Sequence, residues 1–315
     1  MPGEDKYHGV LLLDKPAGIS SHDAVMALRR ILNQRSIGHT GTLDPLAEGL
    51  LVMCLGKATK IARFISELNK TYEAEIFLGI KSATYDAEGA DYNSPSSEIP
   101  DLKITDLEVL LDSFKGIIRQ KVPAFSAVKI DGKRLYQHAR RGQTVETPLR
   151  MIEIYDIKLL AYQKPRLNIS VSCSSGTYIR TLAHDIGEAL GCGAHLSALK
   201  RVRVGKFKIN RALTLDAAAE RHRKNEIYEY LLSYDKALDY SAINITDEFS
   251  RAVVNGRFLS WQDVVGIEGD FSRGDKVLLK NSRGEVMAVG TAAVDSKDFK
   301  SPKGELLFNY LRVLN

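Results

Sequence analysis

The stretch Gly38-His39-Thr40-Gly41-Thr42-Leu43-Asp44-Pro45-Leu46-Ala47-Glu48-Gly49, running into the apolar segment Leu50 to Leu55, decides how this chain is read. Pro45 bars Asp44 from the helical region, so the backbone at the aspartate is extended. Gly41 and Gly49 let the chain turn tightly on either side. The result is one carboxylate in a rigid polar loop directly ahead of an apolar strand. Taken alone, Asp-Pro between glycines is a turn signal. Its surroundings make it more than that.

Upstream, Val10 to Leu13 reads as a strand entering a turn at Lys15 to Gly18. Ser20 or Ser21 then caps a helix with apolar positions at Val25, Leu28, Ile31 and Leu32. Downstream, a helix is expected from about Ala58 to Leu68. A strand follows in which Tyr72, Ala74, Ile76 and Leu78 alternate with Thr71, Glu73 and Glu75. Residues 88 to 102 read as a surface loop leading to a helix near Asp106 to Phe114. A second alternating strand, with Leu167, Ile169, Val171 and Cys173 on one face, turns at Gly176. The helix after it has apolar positions at Ile179, Leu182, Ala183, Ile186 and Leu190, with Arg180 beside that face. From about residue 240 the pattern changes to short strands at Lys276 to Leu279, Val286 to Val289 and Leu311 to Leu314, which reads as a small β-barrel.

Composition narrows the class. With 315 residues and 44% hydrophobic content the chain has material for one large domain and a smaller one. Its longest apolar runs are far short of the ~20 residues a membrane span needs, and the N-terminal residues lack a cationic, apolar leader, so a cytoplasmic address and no membrane partner are expected. Cys54, Cys173 and Cys192 are dispersed, without metal-ligand or disulfide spacing, and read as small buried side chains. There is no phosphate-binding glycine loop, dinucleotide fingerprint or zinc motif. The net charge of +5 decides little. Two clusters say more: Lys129, Lys133, Arg134, His138, Arg140 and Arg141 in one stretch, and Lys200, Arg201, Arg203, Lys206 and Lys208 in another. Basic patches flanking one site suit a phosphate backbone.

The Gly38 to Gly49 run, continuing through Leu55-Gly56-Lys57-Ala58-Thr59-Lys60, closely resembles the catalytic motif of the TruB-type tRNA pseudouridine synthases. The resemblance recurs at Leu12-Asp14-Lys15-Pro16 with Ser20-Ser21, at Lys70 with Tyr72, and at Leu78-Gly79 with Thr84, Asp86 and Gly89. It appears again at Gly176-Thr177-Tyr178-Ile179-Arg180-Thr181 and at Leu190-Gly191-Cys192-Gly193-Ala194-His195. It covers at least residues 8 to 210.

The resemblance implies isomerisation of uridine 55 in the T-arm of tRNA to pseudouridine, with no cofactor and no metal. It makes Asp44 the essential carboxylate, acting either as a nucleophile at C1′ or as a base toward the sugar. Arg180 matches the arginine that pairs with it, and such a partner keeps a carboxylate ionised and oriented. Tyr72, by periodicity a core tyrosine, matches the ring that stacks on the target base. His39 matches the residue that assists base flipping. Leu199 matches an apolar residue of the base pocket. The stretch around Lys129, Lys133 and Arg140 corresponds to a thumb insertion, implied to be a mobile cationic flap over the RNA, and Arg201 belongs to the second basic patch.

The expected fold is mixed α/β (α+β). A pseudouridine synthase catalytic domain over a mainly antiparallel sheet occupies residues 1–240, with the thumb at about 121–150. A PUA-like RNA-binding barrel occupies 241–315. The partner is tRNA; without a long basic extension at either end, a stand-alone monomer using no guide RNA is expected. An RNA chaperone that opens and refolds the tRNA elbow is the rival reading, and it places no demand on Asp44. A paralogue with the same chemistry on another RNA is a third.

Overall fold

A computed structural model describes residues 5–93, 97–126, 128–130, 132–139, 143, 146–300 and 306–314. The chain opens with β1 (Gly9–Lys15), α1 (Ser21–Leu32), β2 (Ile37–His39) and β3 (Glu48–Leu55). Next come α2 (Ala62–Ser66), β4 (Lys70–Leu78), α3 (Ile104–Asp112) and β5 (Gly116–Lys121). Two short strands, β6 (Lys129–Ile130) and β7 (Lys133–Arg134), pair with each other ahead of α4 (Leu135–Ala139). The long β8 (Leu149–Gln163) and β9 (Arg166–Cys173) lead to α5 (Ile179–Ala189), β10 (Ala194–Val204) and β11 (Phe207–Lys208).

These strands form a sheet in the order β1-β3-β10-β4-β9-β8-β5, with β2 paired to β3 and β11 to β10. Its described pairings are antiparallel except one: β10 runs parallel to β3, through Lys200 opposite Glu48 and Arg201 opposite Gly49. That junction joins the two halves of the sheet, and the Asp44 loop enters β3 at that point.

Burial explains the strand patterns. On β4, Lys70, Tyr72, Ala74, Ile76 and Leu78 are buried, and all but Lys70 lie in one core with α3, α5, β8 and β9. β1 and β3 are instead buried on both faces, which is why they read as continuous apolar runs. Val10, Leu12, Leu50 and Val52 enter one core, while Leu11, Leu13, Leu51 and Met53 enter another against α1. The first of these cores also receives Leu278, Val286, Val289 and Leu314, and so seats the C-terminal sheet. That sheet has five strands, β12 (Ala242–Ile245), β13 (Val264–Glu268), β14 (Lys276–Lys280), β15 (Val286–Ala292) and β16 (Phe308–Val313), in the order β13-β12-β14-β15-β16.

Local signals mostly hold. Ser20 caps α1 in a reciprocal box with Asp23. The helix expected over 58–68 is instead a 3₁₀ segment, Gly56–Ile61, followed by the short α2. Its entry is constrained: Gly56 has φ +55°, and a Cβ there would meet His8 and the Tyr7 carbonyl. The three cysteines are free and buried, and burial pushes the Cys54 thiol up to about 12. Among the described residues, no helix is long and apolar enough to cross a membrane.

Gly49 has φ +98°, and a Cβ there would lie 2.5 Å from the Arg201 carbonyl oxygen. Gly49→Ala is therefore expected to lower unfolding free energy by roughly 2 kcal/mol or more, because backbone strain and a backbone clash act together. Equilibrium denaturation checks this; a loss under about 0.5 kcal/mol, the range of unremarkable surface changes, would contradict it.

Candidate active site

The Asp44 loop is fixed mainly through its backbone. The Leu43 amide donates to Ser21 Oγ at 2.8 Å, and the same hydroxyl donates to the Leu43 carbonyl at 2.9 Å. The Gly18 amide donates to the Pro45 carbonyl at 2.8 Å, and the Ala47 amide to the Asp44 carbonyl at 3.0 Å. Lys15, fully buried, donates to the Pro16 and Ile19 carbonyls and closes the turn that presents Ser20 and Ser21. The loop is thus clamped by the entry to α1, and Leu43 and Ala47 are buried in the main core. Between them the Asp44 side chain keeps 44% of its surface exposed.

Arg180, the second residue of α5, reaches across to this carboxylate. Its Nη2 lies 3.4 Å from Asp44 Oδ2 and donates to the Phe125 carbonyl at 2.7 Å. Its Nη1 donates to Asp86 Oδ2 at 3.3 Å. Asp86 is buried and is itself held by the Thr84 hydroxyl and the Glu88 amide. One guanidinium therefore bridges an accessible and a buried carboxylate. Such charge-assisted contacts orient both acids.

The net effect on Asp44 differs from the expected one. Its pKa is raised, with burial the largest cause and the Asp86 charge adding to it; Arg180 and Lys15 pull it down without reversing the shift. Asp86 stands out in the sequence only as part of the Thr84-Asp86-Gly89 resemblance. Nothing in its local pattern names a partner 94 positions away.

The other expected residues divide. Tyr72 is buried and opposite Arg201 on the neighbouring strand; burial raises its phenol, with the Arg201 charge and hydrogen bond acting the other way. His39, at the end of β2, is half-buried with Nδ1 unpartnered among the described residues, and burial holds its imidazole below the usual value. Leu199 packs partly buried against the main core and lines a cleft of about 450 Å³ with Leu46 and Ala74. Asp44, Tyr72, Leu199 and Arg180 thus belong to elements packed around one core.

Arg201 corrects the reading of the second basic patch. It is 1% exposed, donating from Nε to the Leu50 carbonyl at 2.7 Å and from Nη2 to the Gly41 carbonyl at 3.0 Å. It braces the Asp44 loop from beneath and presents no cation to solvent. Its place on β10 at the parallel junction buries it, and strand alternation does not reveal that. Lys200 and Lys206 are partly exposed and ion-paired with Glu48 and Asp239. Of the first basic cluster, Lys129 and Lys133 lie on β6 and β7, their side chains outside the described set; Arg140 lies outside the described residues. The excursion carrying them leaves and rejoins the sheet where Lys121 pairs with Leu149, and Phe125 within it is the Arg180 acceptor. Among the described residues, no group of three His, Cys, Asp or Glu is placed to hold a metal ion.

Comparison with known proteins adds independent findings. Residues 29–179 match the N-terminal domain model of the TruB family pseudouridylate synthases, 180–239 the tRNA pseudouridylate synthase B C-terminal domain, and 241–314 the PUA domain. The chain is 49% identical over 212 residues to a tRNA pseudouridine synthase B of Xanthomonas oryzae pv. oryzae, covering 67% of this chain and 68% of that protein. It is 50% identical over 227 residues to one of Ralstonia pickettii, covering 70% of each. The chain of a Cbf5-Nop10-Gar1 complex superposes with TM-score 0.76 at 29% identity, over 98% of this chain and 85% of that one. An H/ACA RNP bound to a substrate RNA containing 2′-deoxyuridine gives the same TM-score at 26% identity, again over 98% and 85%.

Arg180→Met would strand the buried Asp86 carboxylate without its cation, at an expected cost of about 3–5 kcal/mol. In the protein that remains folded, Asp44 should titrate at higher pH, since the removed charge lowers its pKa in the native state. Carboxyl-carbon NMR of labelled aspartate reads this shift. An unmoved or lowered Asp44 titration would contradict the bridge.

Proposed function

Because this chain belongs to the TruB family of pseudouridylate synthases, we propose that it converts uridine 55 in the T-arm of tRNA to pseudouridine, with Asp44 carrying the bond exchange. The observation that carries this reading is the half-exposed Asp44 carboxylate, clamped by its backbone and paired to the buried Arg180. The relatives at about half identity bear the name tRNA pseudouridine synthase B, whereas the ribonucleoprotein chains are at 29% and 26%. That difference favours tRNA, and a stand-alone enzyme, over a guided ribonucleoprotein.

The reaction is an isomerisation: the C1′–N1 bond breaks with its electron pair leaving on the base, the base turns, C5 bonds to C1′, and the C5 proton is lost while N1 gains one. No group enters or leaves, so no cofactor is called for. Asp44 meets the sugar at C1′ as nucleophile or takes a sugar proton as base. Arg180 orients it and compensates its charge. Tyr72 lies under the base; its raised phenol stays protonated at neutral pH, which suits stacking and hydrogen bonding better than proton abstraction. His39, kept neutral by burial, offers an uncharged ring to occupy the space of a flipped base, and Leu199 an apolar pocket wall.

In this reading residues 1–240 form the catalytic domain, the excursion at 121–150 with Lys129, Lys133 and Arg140 is a thumb over the RNA backbone, and 241–315 is the RNA-binding tail. Turning a base out costs a few kcal/mol, which contacts spread along the T-arm must offset.

A T-arm stem-loop tritiated at C5 of its target uridine tests the proposal without added metal or nucleotide. Wild type should release tritium, and Asp44→Asn should slow release by at least about a thousandfold while RNA affinity stays within severalfold. Binding without release by wild type would favour an RNA chaperone; release unaffected by Asp44→Asn would remove Asp44 from the chemistry.

A further inference from the structure

Next to the Arg180 centre lies a feature that the reaction described above leaves unused. Tyr85 adopts φ +66°, a conformation that bulky side chains rarely take. The surrounding turn enforces it: the Tyr85 amide donates to the Ser82 carbonyl at 3.2 Å, and its carbonyl accepts from the Leu196 amide at 2.9 Å. The ring is then laid on His184, with centroids 4.1 Å apart and planes 17° from parallel. Both side chains are half-buried. His184 is one helical turn after Arg180 on α5, so the two project from the same helix face. Tyr85 directly precedes Asp86, the buried partner of Arg180.

The chemical character of the pair is defined. Burial holds the His184 imidazole below its usual value, with Lys81 and Lys121 adding to the effect against Glu188, so at neutral pH both rings are uncharged π-surfaces. Those two lysines are within electrostatic range of His184, and Lys81 is also paired to Glu188 at 2.7 Å. A half-open aromatic stack one helical turn from Arg180, with the cations Lys81 and Lys121 and the carboxylates Asp185 and Glu188 within electrostatic range, has the makings of a nucleobase platform.

We propose that the Tyr85–His184 stack receives the base of a nucleotide adjoining the target uridine, which gives the protein a second base-binding subsite beside the Asp44–Arg180 centre. This rests on the reading that a uridine is turned out of an RNA stem-loop. A base extruded at Asp44 strains the backbone of its neighbours, and a stacking surface beside the site stabilises one of them outside the helix. The main competing role is a brace in which the stack merely holds the 82–89 turn, and so Asp86, against α5.

Tyr85→Gly separates these roles, because glycine accepts the left-handed backbone and removes only the ring. Tyr85→Phe keeps the stacking surface. Single-turnover conversion is measured on an intact T-arm stem-loop and on two others, abasic immediately 5′ or 3′ of the target uridine. For wild type, one abasic RNA should raise the half-saturating concentration about tenfold. Tyr85→Gly should raise it comparably on intact RNA and lose most of the further response to that abasic site, with melting temperature unchanged or higher; Tyr85→Phe should match wild type. Independent, multiplying effects of Tyr85→Gly and the abasic site would overturn the proposal. So would a lower maximal rate at unchanged half-saturation, the signature of the brace. Failure of the tRNA reading looks different: wild type then neither binds nor converts the intact stem-loop, and both proposals fall.

Discussion

The Arg180 guanidinium is the point on which the architecture of the site depends. It touches Asp44 on the loop before β3, Asp86 on the turn after β4, and the Phe125 carbonyl on the excursion after β5, while its own backbone starts α5. Four segments distant in sequence meet at one charge. Burying that charge is unfavourable unless it is compensated, and two carboxylates and a carbonyl meet its two terminal nitrogens, while Nε has no partner among the described residues. The same requirement explains the stiffness of the surroundings: the Ser21 clamp on Leu43 and the Arg201 brace under Gly41 keep the accessible acid within reach.

Electrostatics in the site is ruled by burial more than by pairing. Asp44 and Tyr72 are both shifted up and His39 is shifted down, each with desolvation as the first cause. Each shift favours the uncharged form. A site of that kind suits a nucleobase, which brings little charge of its own. The proposed contacts with RNA phosphates would fall to residues outside this buried set, on the excursion between Lys121 and Leu149. The buried Arg201 lies outside that outer set: its charge is spent on backbone carbonyls, and it works by holding the loop.

Much of this was legible in the sequence. The alternation of Tyr72, Ala74, Ile76 and Leu78 marks a half-buried strand, and β4 is one; the unbroken run Leu50 to Leu55 marks a strand covered on both faces. The Pro45 and glycine signals define the Asp44 loop, and Gly41 and Gly49 do have positive φ. What escaped depends on long-range geometry. The 3₁₀ start at Gly56 is imposed by close packing on Tyr7 and His8. The burial of Arg201 comes from the parallel β3–β10 junction, and the Asp86–Arg180 pair joins the turn after β4 to the start of α5, 94 positions away. Side-chain periodicity reports neither sheet order nor which turn faces which helix.

A crystal structure of the Asp44→Asn protein with a T-arm stem-loop would show directly whether the clamped carboxylate meets the sugar. The target uridine should be turned out of the helix, its ribose C1′ against the side chain at position 44, its base on Tyr72, and Arg180 still bridging to Asp86. A target uridine left stacked in the RNA, or turned out with its C1′ remote from position 44, would contradict that arrangement.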